Sequence, residues 1–288
     1  MDIRMLWRRL EMAVMQRVGY TQRALHWIWE GGEFSKHWQE RVREYKWIFV
    51  LGCNNSGTTL TSNVLGLHPA ISTLPREGQK MTKVMPQPKE LGCPRLWTER
   101  LDAFRLTESD NGYNKARLVY DWINYKKSDS TEFILEKSPP DTLRSRWLQG
   151  VFDHCYFIGL VRNGYAVCEG MRRRNGHSLE RCARHWNLVN KIMIEDSRFL
   201  NRFKLMRYEE LTRDPAAAFD SLSDFLGIDK TPFRSIAEKK FVVHNIDGRQ
   251  SQIRDFNASS LSRLSPEDRE VITLHAREML DYFGYLTA

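Results

Sequence analysis

The stretch Trp47-Ile48-Phe49-Val50-Leu51-Gly52-Cys53-Asn54-Asn55-Ser56-Gly57-Thr58-Thr59-Leu60 constrains this chain more than any other. A short apolar run stops at one glycine, crosses a small polar loop and turns at a second glycine. Apolar residues then recur at Leu60, Val64 and Leu67. The run reads as a buried strand and the recurrence as a helix. A strand, a glycine loop and a helix start aim several backbone N–H groups, and the positive helix end, at one point. The stretch predicts an anion site, and the natural anion is a phosphate.

The spacing Gly52-x4-Gly57 matches the loop of nucleotide triphosphatases, G-x4-G-K-[ST], except that Thr58 stands at the lysine position. Without that lysine nothing in the loop reaches β- and γ-phosphates, which argues against ATP or GTP hydrolysis. The hydroxyls of Thr58 and Thr59 can still donate to a phosphate or sulfate oxygen. Two other readings stay open. One is a P-loop small-molecule kinase, which needs a substitute cation and a magnesium carboxylate. The other is a catalytically inactive nucleotide- or nucleic-acid-binding domain.

The 288 residues are enough for one large domain with a full core. No apolar run approaches the roughly 18 residues of a membrane span, and the N-terminus carries no secretory apolar region. Five cysteines, irregularly spaced, suit a reducing compartment and suggest neither a disulfide frame nor a metal site. These features predict a cytoplasmic protein without a metal. The net charge of +8 favours anionic partners but does not choose among nucleic acid, a membrane surface and a charged nucleotide.

Residues 1–45 read as a helical extension broken near Gly31-Gly32. Ile3, Trp7, Leu10, Val14 and Val18 share a stripe flanked by Arg4, Arg8, Arg9 and Arg17. The stripe suits a membrane-surface or partner-binding helix, and equally a helix docked on the domain or a dimer arm. Residues 46–288 read as one domain. Strands are predicted at Ala70–Leu74, Phe133–Leu135, Tyr156–Val161 and Lys204–Tyr208, with helices between them. Asp214-Pro215 and Ser265-Pro266 read as helix starts and Gly227 as a helix stop. Residues 80–112, rich in proline, glycine and charge, read as irregular and partly mobile, and residues 78–130 as the wall of an acceptor pocket. The alternation predicts an α/β fold, a P-loop-like parallel sheet covered by helices on both faces. Ligands in such sheets bind at the carboxyl ends of the strands. Arg162 follows a predicted strand there, and its guanidinium fork suits a phosphate.

The loop Asn55-Ser56-Gly57-Thr58-Thr59-Leu60, followed by Leu67-His68-Pro69, resembles the 5′-phosphosulfate loop of sulfotransferases. The resemblance spans roughly residues 46–284. It implies 3′-phosphoadenosine 5′-phosphosulfate (PAPS) as co-substrate, no metal, no nucleic-acid partner, and a sulfuryl acceptor that is a carbohydrate, small molecule or peptide. Residues Asn55 to Thr59 would hold the 5′-phosphosulfate. The family usually has Lys or Arg where this chain has Asn55. Val161-Arg162-Asn163-Gly164 is similar to the 3′-phosphate motif, although the Ser expected eight residues after the arginine is Gly170. Arg172, Arg173 and Arg174, one turn further on, read as a solvated basic face.

Glu77 sits where protein-tyrosine and several carbohydrate sulfotransferases keep a catalytic glutamate. Such a group takes the acceptor's proton as transfer proceeds. Lys137, in Glu136-Lys137-Ser138-Pro139, matches the family's E/N-K-x-P segment and would neutralise charge on the transferring group. His185-Trp186-Asn187 is like the family's helical W-N pair. Arg207-Tyr208-Glu209-Glu210-Leu211, with Asp214-Pro215 and Phe225-Leu226-Gly227, is close to its R-Y-E-D-L…P…F-L-G signature and reads as structural. His244 to Gln250 resembles the late loop over the nucleotide, with Arg249 toward the 3′-phosphate.

Overall fold

Buried on both faces, the first strand of the domain sets the layering. The computed structural model describes residues 33–123, 131–242 and 250–286. Strand β1 (Lys46–Gly52) alternates Trp47, Phe49 and Leu51 toward one face with Ile48 and Val50 toward the other, and none is more than 1% exposed. Such a run fits only the middle of a sheet covered on both sides. Strands β2 (Ile71–Thr73), β3 (Phe133–Glu136), β4 (Cys155–Val161) and β5 (Phe203–Arg207) complete a five-stranded sheet of order β2-β3-β1-β4-β5. Every pairing in it is parallel. The fold is therefore the predicted α/β sheet. The chain leaves β1 toward β2 and β3 on one side and later crosses to β4 and β5 on the other. The loop after β1 sits where those connections part.

Helices α1 (Glu33–Val42), α2 (Thr58–Leu65), α3 (Lys115–Ile123) and α4 (Ser145–Val151) precede β4. On the face of Trp47 and Phe49 pack Trp122 of α3, Trp147 of α4 and Phe152. The Trp47 and Phe152 ring centroids are 4.3 Å apart, and Trp122 stacks on Phe152 at 5.6 Å. On the face of Ile48 and Val50 pack Val64 and Leu65 of α2, with Phe219, Leu222 and Leu226 of α8 (Pro215–Leu226). A third cluster lies between α5 (Gly164–Asn175), α6 (Leu179–Ser197) and the last helix, α10 (Pro266–Tyr282), with Met171, Trp186, Ile272 and Leu280 fully buried.

The helix ends follow the local chemistry. Asp214 caps α8 by accepting from the Ala217 N–H, Pro215 occupies its first turn, and Gly227 closes it in the left-handed region. Ser265 and Asp268 form a capping box at α10. Tyr208, predicted to end a strand, instead opens the short helix α7 (Tyr208–Arg213). Pro139–Arg144 forms a 3₁₀ turn before α4. The segment 80–112 is irregular only in part: Trp97–Arg100 forms a 3₁₀ turn that runs into a short α-helical turn at Leu101–Phe104, and Leu96, Trp97 and Phe104 anchor it in the core. All five cysteines are buried and unpaired.

Of the predicted extension, residues 1–32 lie outside the described residues. α1 packs against α3, and the Val42 carbonyl accepts from the Trp47 indole at 3.2 Å. A short antiparallel pair, β6 (Phe241–Val242) with β7 (Gln250–Ser251), and the helix α9 (Asn257–Leu261) lie between α8 and α10.

Candidate active site

The loop after β1 is a left-handed cradle. Gly52 (φ 136°), Asn55 (φ 66°) and Gly57 (φ 98°) all take positive φ. At Gly52 a side chain would collide with the Leu160 carbonyl of the neighbouring strand. At Gly57 it would press on the Tyr208 ring, 3.0 Å away. Glycine at both positions is thus required by backbone and by space. Thr58 and Thr59 open α2, and Gly57 brings no side chain to cap the N–H groups of its first turn. The Ser56 hydroxyl and the Asn55 Nδ2 are buried without a hydrogen-bond partner. Unpaired buried donors beside a helix N-terminus fit an anionic group, which would supply the missing acceptors.

Arg162 follows β4 and is almost fully buried. Its Nη1 donates to the Asn55 carbonyl at 2.9 Å and its Nε to Asn257 Oδ1 at 2.7 Å. Its guanidinium lies 4.2 Å from the centroid of the Tyr208 ring. Glu209 completes the support, accepting from Asn257 Nδ2 at 2.7 Å and from the Asn163 N–H at 2.9 Å. The Tyr208-Glu209 segment, read from sequence as structural, is therefore also what aims Arg162.

Arg174 differs from its predicted place on a solvated face. It is half-buried, and its Nη1 donates to Asn55 Oδ1 at 2.9 Å. Burial first, then the charges of Arg173, Arg95 and Arg162, push its guanidinium below the ordinary arginine value. Cations crowded in this way are relieved by a bound anion. Arg172, by contrast, pairs with Asp268 at 2.7 Å. Arg95, itself at positive φ, is held to the loop by Asn54, whose Nδ2 donates to its carbonyl at 2.7 Å.

Thr59, Asn63, Arg76, Glu77, Lys80 and Lys137 line a cavity of about 450 Å³. Lys80 is its one lining residue from the 78–130 segment. Glu77 lies just beyond β2 and Lys137 just beyond β3, with Lys137 Nζ 3.4 Å from Glu77 Oε1. Lys80 Nζ and Gln79 Nε2 reach Glu77 Oε2 at 2.9 and 3.1 Å. Burial alone would raise the Glu77 carboxyl. The charge of Lys137, with the bonds and charge of Lys80 and Gln79, outweighs it and holds the group below the ordinary glutamate value. An ionised carboxylate beside an ammonium can accept a proton while the ammonium meets developing negative charge.

The sequence-predicted residues Asn55, Ser56, Gly57, Thr58, Thr59 and Arg162 thus gather at the N-terminus of α2, and Glu77 and Lys137 meet in the cavity, whose lining also includes Thr59. Arg249 lies outside the described residues, between β6 and β7. Among the described residues no cluster of His, Cys and carboxylate side chains forms a metal-ligand grouping, and no helix is long and apolar enough to cross a membrane.

The Sulfotransferase family profile matches residues 48–232. The chain belongs to the sulfotransferase family. Its similar relatives include protein-tyrosine sulfotransferase 2 of Gallus gallus, 26% identical over 210 residues, covering 67% of this chain and 54% of that protein. The protein-tyrosine sulfotransferase of Drosophila melanogaster is 26% identical over 202 residues, 65% of this chain and 39% of that protein. The chain spans about half the length of these sulfotransferase relatives. Among solved structures, the sulfotransferase domain of the Synechococcus PCC 7002 olefin synthase superimposes with a TM-score of 0.55 at 22% identity. The match covers 81% of this chain and 95% of that domain, and it shows a shared fold.

Proposed function

We propose that this sulfotransferase moves a sulfuryl group from PAPS to an acceptor hydroxyl or amine. The observation that carries the reading is Thr59. It opens the helix whose N-terminus forms the anion cradle, and it lines the cavity that holds the Glu77–Lys137 pair. A donor in the cradle and an acceptor in the cavity would meet there.

In this reading Ser56, Gly57, Thr58 and Thr59, with the Asn55 amide, hold the 5′-phosphosulfate. Arg162 and Arg174 hold the 3′-phosphate, and Arg249 adds to it. Glu77 takes the acceptor's proton, and Lys137 offsets the charge that builds on the transferring group and its leaving phosphate. The pair is pre-organised, so little reorientation is needed as charge develops. The transferase domain is placed at 46–288 in the cytoplasm, with residues 1–45 as a helical extension open to dimer or membrane-surface contact. The relatives' names make a peptide tyrosine the first acceptor to test, ahead of carbohydrates and small molecules.

The test is thermal. Adenosine 3′,5′-bisphosphate at a hundred times its Kd should raise the melting temperature by about 5 °C or more, and Arg162→Ala should remove most of that shift. 5′-AMP and magnesium-ATP serve as controls. No shift, or an equal one with magnesium-ATP, overturns the donor assignment and moves a kinase or binding role ahead.

A further inference from the structure

Glu136 is the last residue of β3, one before Lys137, and it is fully buried. A carboxyl is rarely fully buried unless it is paired. It accepts the Gly78 N–H at 2.7 Å, the Ser138 hydroxyl at 2.5 Å and the Ser138 N–H at 3.0 Å. The Gly78 N–H belongs to the peptide that joins Glu77 to Gly78. The next peptide is held as well, because the Trp122 indole donates to the Gly78 carbonyl at 3.1 Å. The turn that carries Glu77 is thus gripped at two consecutive peptides, from the interior side. The fit is close. A β-carbon on Gly78 would come within 2.7 Å of Glu136 Cγ and 2.8 Å of Trp122 Cζ2.

A second buried carboxyl lies behind the first. Asp141 is fully buried, and its Oδ1 accepts from Arg144 Nε at 2.7 Å, with Nη2 at ion-pair distance (2.6 Å) but not hydrogen-bonded, while its Oδ2 has no partner. Burial first, and then the charge and side chain of Asp141, push the Glu136 carboxyl well above the ordinary range. A neutral Glu136 carries a hydroxyl that can donate to Asp141 Oδ2. One proton then satisfies the Asp141 oxygen that nothing else bonds, and the two carboxyl groups do not repel. The chain of contacts runs from Arg144 through Asp141 and Glu136 to the Gly78 N–H.

We propose that Glu136 is a positioning residue for Glu77, acting through the Glu77–Gly78 peptide to set where that carboxylate points in the cavity. The proposal deepens the reading of Glu77 as the base and rests on it. The two neighbouring residues of β3's end then divide the work. Lys137 faces the cavity and meets the Glu77 carboxylate, while Glu136 faces inward and holds its backbone.

The experiment compares Glu136→Gln with Glu136→Ala in the full chain. The glutamine keeps an oxygen for Gly78 and an N–H for Asp141, losing only the acceptor for the Ser138 N–H; the alanine keeps none of these. The readout is the ¹³C NMR titration of the Glu77 carboxyl, assigned by its absence in Glu77→Gln. The expected result is a Glu77 titration below the ordinary glutamate value in wild type and Glu136→Gln. It should move up in Glu136→Ala, as the carboxylate drifts from Lys137. A merely structural role would lower the melting temperature and leave that titration unmoved. The inference is overturned if Glu136→Ala leaves it in place, or if Glu136→Gln shifts it as far as alanine does. Should Glu136→Ala fail to fold, Glu136→Asp is read in its place. Its shorter arm withdraws from Gly78, and an unmoved Glu77 titration in that variant also overturns the inference. The base reading fails separately, if Glu77→Gln retains turnover, and that outcome does not alter what the titration says of Glu136.

Discussion

Gly170 faces Asn55 of the loop after β1, and a β-carbon built on Gly170 would stand 3.3 Å from Asn55 Nδ2. Four residues along the same helix, Arg174 donates to the other end of that amide. Two positions at which this chain departs from the sulfotransferase pattern, 55 and 170, are therefore neighbours, and they adjoin an arginine. With Asn55 short and Gly170 bare, the Arg174 guanidinium reaches the loop. Charge absent from position 55 is present one side chain away.

Arg174→Ala should weaken the affinity for adenosine 3′,5′-bisphosphate at least tenfold, since a hydrogen bond to a charged group is worth about 1.5–3 kcal/mol. Asn55→Ala should cost less, and the double variant should fall short of the sum, as residues in contact do. Isothermal titration of the four proteins checks both statements. Strict additivity would mean that the two side chains do not act together.

Asn257 and Glu209 should matter to nucleotide binding through Arg162. Asn257→Ala leaves Arg162 Nε without its partner and Glu209 with one donor fewer. The expected loss of affinity is about tenfold, in line with the about 1–3 kcal/mol cost of stranding a buried polar group. It should be smaller than the loss in Arg162→Ala. Equal affinities of Asn257→Ala and wild type would show that Arg162 holds its aim without Asn257.

Glu77→Gln should lower turnover by about 10² to 10⁴ while leaving the nucleotide-induced melting shift intact. Because Lys137 and Lys80 hold the Glu77 carboxylate down, turnover should decline only below the ordinary glutamate value of 4.5. Lys137→Ala should move that decline to higher pH, in addition to lowering the plateau. A pH profile of kcat for the three proteins separates the effects.

Stability should fall on mild acidification because of His185. The ring is fully buried against Trp97, with Nδ1 on the Thr98 hydroxyl at 2.6 Å and Nε2 unpartnered. Burial, with a smaller contribution from His177, pushes it down to about 3. The unfolded chain takes up a proton below the ordinary value of 6.5, which the folded chain refuses. The stabilisation is thus full above that value and is lost as pH falls below it, at up to about 1.4 kcal/mol per pH unit. His185→Gln should flatten the slope between pH 6.5 and 5 in denaturant melts.

What could be read from the sequence was whatever repeats or punctuates. The strand at 46–52, the glycine loop and the capped helix at 215–226 follow from apolar spacing and from the chemistry of glycine, proline and aspartate. Side-chain bonds across the fold leave no such trace. Arg174 and Asn55 are 119 positions apart, and Lys137 and Glu77 are 60 apart. Nothing in the pattern around Asn257 marks it as a partner of Arg162. Tyr208 misled because an aromatic residue beside an apolar run favours a strand, and packing beneath Arg162 overrode that preference. Glu136 was legible as part of a segment, but its burial, which gives it its task, was not.

The bond from Arg162 to Asn257 spans 95 residues, and it bears on how the protein is made. A chain emerging from the ribosome can form β1, its loop and β4 long before residue 257 is synthesised. Until then Arg162 lacks one of the partners that fix it, although the Asn55 carbonyl and the Tyr208 ring are already made. Nucleotide present during synthesis would therefore gain little grip on the growing chain and would stabilise it only near completion. Contacts so distant in sequence also slow folding, because the intervening loop must close before they reward it. A fragment ending at residue 232, although it holds the whole five-stranded sheet, should accordingly bind adenosine 3′,5′-bisphosphate poorly.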